Sequence, residues 1–355
     1  MRKKITKRTI CYTLIAMAAL LLTGLLAACG HEEAQSPDLK YYDNGYGTYF
    51  VIGTKIEHPA DPSTSTVVDW SGEPAAKASE DHDFIEKKGI IYKHGVRTDG
   101  KEEGTALDLP LNLMTGSDGD GPRPVIVLVP GGGFITCRIE DKYTEVQKYL
   151  VEHGYAVAII RYHIIGEGRY SDAAEDVLDA VRWVRKHGSE YGLDPERISL
   201  MGNSAGGYLA ALAACQDPSN IRCVVNFYGL SDLLNNKADY EEAAIEAHHK
   251  PESSDSQFVN GALSGKALTD DLEEAAKADP ASYIDGDEPP FLHFHGDADL
   301  WVSPSQSLHL HEALTSAGVE STRYFAKGAG HGDKAFRTAA CLDIVLDFLD
   351  RYCGR

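Results

Sequence analysis

From about residue 84 the chain alternates short apolar runs with stretches of helical period. Val125–Val129 is an unbroken β-branched run, the pattern of a strand buried on both faces. Tyr143, Val146 and Leu150 follow at helical spacing, then a second buried run spans Tyr155 to Ile160. Ala173, Val177, Val181 and Val184 form another helical stripe, with Gly188 as its stop signal. Strands are expected at Ile198–Met201, Cys223–Tyr228, Phe291–His295 and Thr322–Phe325. Helices are expected from Tyr208 to Cys215 and around Leu342, Val345, Leu346 and Leu349. Strand and helix in alternation mean βαβ units, hence an α/β fold with a mostly parallel central sheet flanked by helices.

Two regions break this alternation. Residues 235–288 are acidic and helix-prone and lie between two strands. An insertion there sits above the carboxyl edge of the sheet, where α/β proteins bind ligands, either as a lid or as a surface excursion. Residues 29–83 have no sustained period and are read as a tether and N-terminal extension, in which 30–40 act as spacer and Tyr41–Ile56 supplies an early strand or flap. The catalytic domain is placed at 84–355.

The first 28 residues carry a different signal. Arg2, Lys3, Lys4, Lys7 and Arg8 precede an apolar stretch from Ile10 to Ala28, the order of a bacterial export signal. The stretch ends Leu26-Ala27-Ala28-Cys29, which resembles the lipobox of bacterial lipoproteins. That resemblance implies cleavage before Cys29, a lipid on that cysteine, and an extracytoplasmic domain held at the bacterial cell membrane; an uncleaved signal anchor is the alternative.

Composition narrows the partners. The 355 residues hold 34 Lys+Arg against 54 Asp+Glu, a net charge of −20 that deepens to −25 once residues 1–28 are removed. Nucleic-acid binding needs a basic footprint, so it is excluded as a default. Beyond Cys11 and Cys29, five cysteines remain (Cys137, Cys215, Cys223, Cys341 and Cys353), an odd number that leaves at least one free or paired between chains. No CxxC or Cys/His spacing for structural zinc appears, and no metal or cofactor is expected. Gly116–Gly121 resembles a fragment of a calcium loop without its full spacing and reads as a turn.

The chemistry concentrates in four short motifs. Gly202-Asn203-Ser204-Ala205-Gly206 fits G-x-S-x-G, directly after an expected strand and before an expected helix. That placement exposes a serine hydroxyl on a strained turn. Ser204 then needs a base. His331, in the glycine loop 328–332 after the last strand, has the right chain order; His293 and His295 alternate within a strand and read as structural. His309 and His311 sit on a helix, and His248 and His249, in the insertion, read as solvated. The orienting acid is Asp299 or Asp297. Asp299 is favoured as nearer the rim of the sheet, with Asp297 as a turn residue bonding its own backbone. Pro130-Gly131-Gly132-Gly133-Phe134 follows a buried strand where backbone amides meet a developing oxyanion, which nominates Gly132, Gly133 and Ala205 as donors.

In this order, the motifs resemble the α/β-hydrolase superfamily, and within it bacterial carbohydrate acetyl esterases and feruloyl-esterase-like proteins, neighbours of the hormone-sensitive-lipase group. Asp194–Ile198 ahead of Gly202–Gly207, Pro290–Asp299, and Gly330-His331-Gly332 carry the resemblance together with the 130–134 loop. It implies an α/β-hydrolase fold with Ser204 as nucleophile, Asp299 as acid and His331 as base. Lipase-type relatives carry histidine where this chain has Pro130, whereas acetyl-esterase-like relatives often carry proline, which leans towards short acyl groups on sugars. The expected activity is hydrolysis of acetyl or feruloyl esters on plant polysaccharides or oligosaccharides, with a small-molecule or glycan ester as substrate. Two rivals stand beside it: an amidase or peptidase on the same triad, arylformamidase-like or dipeptidyl-peptidase-like, and a catalytically dead glycan-binding surface lipoprotein.

Overall fold

In chain order the strands are β1 (Asp38–Tyr41), β2 (Tyr49–Ile52), β3 (Thr66–Val68), β4 (Phe84–Val96), β5 (Ala106–Gly116), β6 (Arg123–Val129), β7 (Ala156–Ile160), β8 (Leu193–Asn203), β9 (Val224–Phe227), β10 (Phe291–Gly296) and β11 (Ser321–Ala326). The helices are α1 (Thr144–Glu152), α2 (Tyr170–His187), α3 (Ala205–Gln216), α4 (Glu242–His248), α5 (Ser254–Asn260), α6 (Leu272–Lys277), α7 (Ser305–Ser316) and α8 (Ala339–Cys353). The structure, a computed structural model, describes residues 36–117, 121–139 and 144–354. Residues 1–28, expected to be an export signal, Cys29 and Tyr143 lie outside the described residues.

Among the described residues, nine strands form one sheet in the order β3-β11-β10-β9-β8-β6-β7-β5-β4. Neighbours from β3 to β7 run parallel, and β5 and β4 add an antiparallel edge. The apolar run of β6 explains the two-sided core: Val125, Val127 and Val129 face one layer with α2, α3 and α7, while Ile126 and Leu128 face the other with α1 and α8. Helix α3 is buried almost all round, which its Ala/Gly/Leu sequence permits by keeping its diameter small. The five cysteines from Cys137 to Cys353 are all free thiols.

No break falls near residue 84: Pro37 onward packs as one unit. The reason is tertiary: β3 pairs in parallel with β11 at the sheet edge, and the β1–β2 hairpin is tied to the insertion by Tyr49 N–H donating to the Glu252 carbonyl and by Tyr49 Oη donating to the Ala247 carbonyl. Tyr41–Ile56 thus contributes to the antiparallel pair β1–β2. Strands β4 and β5 were not individually apparent, because β4 is mostly exposed and its register with β5 shifts between Lys87 and Ile90.

A buried carboxylate locks the layer beneath the glycine loop. Asp176 on α2 accepts from His163 N–H at 2.7 Å and His163 Nδ1 at 2.6 Å, and from Lys93 Nζ at 2.7 Å. Burial opposes a charge on His163, but its bond to Asp176 and the carboxylate's charge raise its pKa. The preceding Tyr162 donates its hydroxyl to the Pro130 carbonyl at 2.7 Å, so this anchor holds the loop from behind. Asp176→Ala removes the carboxylate from buried His163, while the half-buried Lys93 keeps its second partner, Asp179, at 2.8 Å. The substitution is expected to lower unfolding free energy by about 3 kcal/mol in urea titration, with an unchanged midpoint for an exposed control such as Glu103→Ala.

Candidate active site

Ser204 sits between β8 and α3 at φ 53°, ψ −128°, a conformation that costs a non-glycine residue about 1–3 kcal/mol. The turn is held by Ser204 N–H on the Phe227 carbonyl at 2.9 Å and Tyr208 N–H on the Ser204 carbonyl at 3.1 Å. It closes only because its flanking residues lack side chains. A Cβ on Gly202 would lie 2.2 Å from the Gly206 carbonyl oxygen, and one on Gly206 would lie 2.0 Å from that of Val129.

His331 Nε2 lies 2.9 Å from Ser204 Oγ, and its Nδ1 lies 2.8 Å from Asp299 Oδ2. An ionised carboxylate only accepts, so Nδ1 carries the proton and Nε2 is left to accept the serine hydroxyl. Asp299 is fully buried at the end of β10. Burial pushes its pKa up, yet the His331 charge and hydrogen bonds from His295 and His331 outweigh this and hold it well below the usual carboxylate range. Its other oxygen accepts from Trp301 N–H at 2.9 Å and Val302 N–H at 3.1 Å. Asp297 is exposed and accepts from Gly328 N–H at 2.6 Å. It thus ties the acid loop to the histidine loop and does not close a turn on its own backbone.

Gly132 and Gly133 line the same cleft as Ser204, and among the described residues their N–H groups donate to no protein acceptor. Ala205 is the first residue of α3, so its N–H has no intrahelical partner. Three amides are therefore available beside the serine hydroxyl. The histidines set aside in the sequence are not solvated throughout: His248 is buried with Nε2 at 2.7 Å from the Leu233 carbonyl, and His311 is buried with Nδ1 at 2.8 Å from Ser321 Oγ. Among the described residues, Asp232, Asp279 and His309 bring three potential metal-ligand atoms within 4.8 Å of one another. His309 Nε2 already meets Asp279 Oδ2 at 2.9 Å, and Asp232 caps Asn235.

The family-level comparison bears on the whole arrangement: residues 111–314, more than half of the chain, match the BD-FAE family. The chain belongs to the BD-FAE family. Curated relatives include Esterase LipQ of Mycobacterium tuberculosis, 30% identical over 65% of this chain and 56% of that protein. Isoprenylcysteine alpha-carbonyl methylesterase ICME of Arabidopsis thaliana is 27% identical over 63% and 53%. This BD-FAE chain spans about half the length of these relatives. Among solved structures, a truncated carbohydrate esterase from gut microbiota superposes with a TM-score of 0.64 at 19% identity, covering 79% of this chain and all of that one. Est2, an esterase of Thermogutta terrifontis, gives 0.55 at 22% identity over 74% and 91%. The fold is the α/β-hydrolase fold.

Several cleft residues of this BD-FAE protein escaped the sequence. Lys40, Tyr42 and Phe50 come from the β1–β2 hairpin, and Tyr228, Trp301 and Arg337 from loops at the carboxyl edge. Trp301 stacks on His331 with ring centres 5.8 Å apart and planes at 9°, and Tyr228 meets the same imidazole edge-on at 4.9 Å. Lys237 is buried under the Phe50 ring at 4.4 Å and donates to the Trp301 carbonyl; burial pulls its pKa down to about 8. No local motif announces these contacts, since each joins segments remote in sequence. The insertion 235–288 contributes no side chain to the cleft lining among the described residues. It braces the acid loop instead, with Tyr240 Oη donating to the Asp299 carbonyl at 3.0 Å. Gly206→Ala is expected to lower esterase kcat/KM at least tenfold by displacing the Ser204 turn. Active-site labelling with a fluorophosphonate checks this, and wild-type labelling rates in the variant would refute it.

Proposed function

We propose that the protein is a serine carboxylesterase acting on short acyl esters, acetyl or feruloyl, of plant polysaccharides or their oligosaccharides. The observation that carries this reading is the continuous hydrogen-bonded line from Asp299 through His331 to Ser204 Oγ. In this reading Ser204 Oγ attacks the ester carbonyl as its proton passes to His331 Nε2, and Asp299 stabilises the imidazolium. The amides of Gly132, Gly133 and Ala205 receive the oxyanion, each donor lowering the barrier by about 3 kcal/mol. The imidazolium then protonates the departing alcohol. Water, deprotonated by the same imidazole, releases the acid from the acyl-serine.

The cleft supports the choice of substrate. It encloses about 810 Å³ beside Ser204, and its walls carry Tyr42, Phe50, Tyr228 and Trp301. Flat aromatic faces suit a sugar ring or an aryl acyl group. A carbohydrate esterase among the solved neighbours, and Pro130 in the glycine loop, point in the same direction. We further propose that the mature chain begins at a lipid-bearing Cys29 and works outside the cytoplasm, with residues 30–36 as spacer. In the described residues no helix is long and apolar enough to cross a membrane.

Purified protein is expected to release p-nitrophenol from p-nitrophenyl acetate and acetate from acetylated xylan, and Ser204→Ala to lose at least a thousandfold in kcat/KM. Faster cleavage of a matching anilide would favour the amidase reading, and no turnover of either would favour a glycan-binding role. Metabolic labelling with an alkynyl fatty acid is expected to mark the protein in its host and to vanish in Cys29→Ser.

A further inference from the structure

Arg323 on β11 is 1% exposed, and among the described residues no carboxylate touches it; Asp239, Glu312 and Asp61 act on it only from beyond ion-pair distance. Its donors go to neutral oxygens: Nε to Ser307 Oγ at 2.8 Å, Nη2 to the Pro304 carbonyl at 3.0 Å and Nη1 to Ser65 Oγ at 2.5 Å. A buried guanidinium without a counter-ion is costly to keep. Its cost invites a role, and the next atoms along supply one. Ser307 Oγ lies 3.0 Å from His295 Nδ1, and His295 Nε2 lies 3.3 Å from Asp299 Oδ2, the oxygen that also holds His331.

The direction of this chain follows from which atoms are able to donate. Guanidinium has no acceptor, so Ser307 Oγ must accept from it and keeps its own proton to give away. His295 Nε2 faces two acceptors, Asp299 Oδ2 and the Val302 carbonyl at 3.2 Å, so the ring proton resides there. Nδ1 of the neutral ring is then an acceptor, and the Ser307 proton satisfies it in competition with the Pro304 carbonyl at 3.2 Å. The line runs Arg323 to Ser307 to His295 to Asp299, every member buried.

We propose that His295, backed by Ser307 and Arg323, is a positioning residue that divides the negative charge of Asp299 Oδ2 between two imidazoles and so limits how strongly His331 holds its proton. This rests on the triad reading given above. Removing the His295 donor leaves Asp299 a stronger partner for the His331 imidazolium, so the acid limb of kcat/KM moves to higher pH. The other ionisable groups around this chain are Asp239, Asp61 and Glu312 towards Arg323, together with Lys237, Tyr240, His293 and His311. Burial lowers the pKa of His293 and His311 and pulls Lys237 down to about 8, and it raises those of Asp239 and Tyr240. None of them contacts Asp299 Oδ2.

The test is the pH profile of p-nitrophenyl acetate hydrolysis, normalised to fluorophosphonate-labelled sites, for wild type, His295→Phe, His295→Gln and Ser307→Ala. His295→Phe is expected to raise the acid-limb midpoint by about half a pH unit or more and to lower kcat about tenfold with KM little changed. His295→Gln, which retains an N–H donor, is expected to return the midpoint to within about 0.2 unit of wild type. Should His295→Phe not fold, Ser307→Ala decides, with a smaller shift of the same sign expected. Labelled variants whose midpoint and kcat do not move overturn the positioning chain alone. Absence of Ser204 labelling in the wild type overturns the triad reading with it.

Discussion

The structure depends on keeping one carboxylate charged where no water reaches it. Asp299 lies at zero exposure, and ionisation there is tolerable because four N–H groups surround its two oxygens. Two are backbone amides of its own loop, from Trp301 and Val302, and two are imidazoles, His331 and His295. Everything that fixes those donors serves the same end. Tyr240 and Lys237 hold the loop carbonyls of Asp299 and Trp301, and Asp297 binds the loop of His331 through Gly328.

The second constraint is steric and lies on the opposite side of the hydrogen-bonded line. Ser204 must occupy a backbone region unfavourable to any side chain, and the strain is absorbed by close packing of β6, β8 and α3 around Gly202 and Gly206. The small residues of α3 are what let that helix start so near the sheet. A buried, almost all-apolar helix and a strained serine are therefore two consequences of one packing requirement.

The motifs were legible where the chemistry is local. G-x-S-x-G is a complete specification of a turn, and Ser204, Asp299 and His331 each follow a short apolar run that reads as a strand. The Asp299/Asp297 alternative was less sharp, because burial of one and exposure of the other depend on packing against the insertion. What stayed hidden was non-local. The β1–β2 hairpin lies in a stretch without period, yet Phe50 packs on Trp301 at 5.5 Å and its neighbours form part of the cleft wall. Equally non-local are the contacts of segment 235–288, from which Lys237 and Tyr240 reach the carbonyls of Trp301 and Asp299. The cleft wall thus includes residues such as Lys40 and Tyr42 that lie outside the span matched to the family.

The central claim is that the line from Asp299 to Ser204 makes this one hydroxyl a nucleophile toward an ester carbonyl. The most direct measurement is peptide mass spectrometry of enzyme acid-quenched during turnover of p-nitrophenyl acetate. The account predicts a transient acetyl adduct on the peptide containing Ser204, formed in a burst of p-nitrophenol and lost on further incubation. Turnover without that adduct, or an adduct on another residue that decays at the turnover rate, would contradict it.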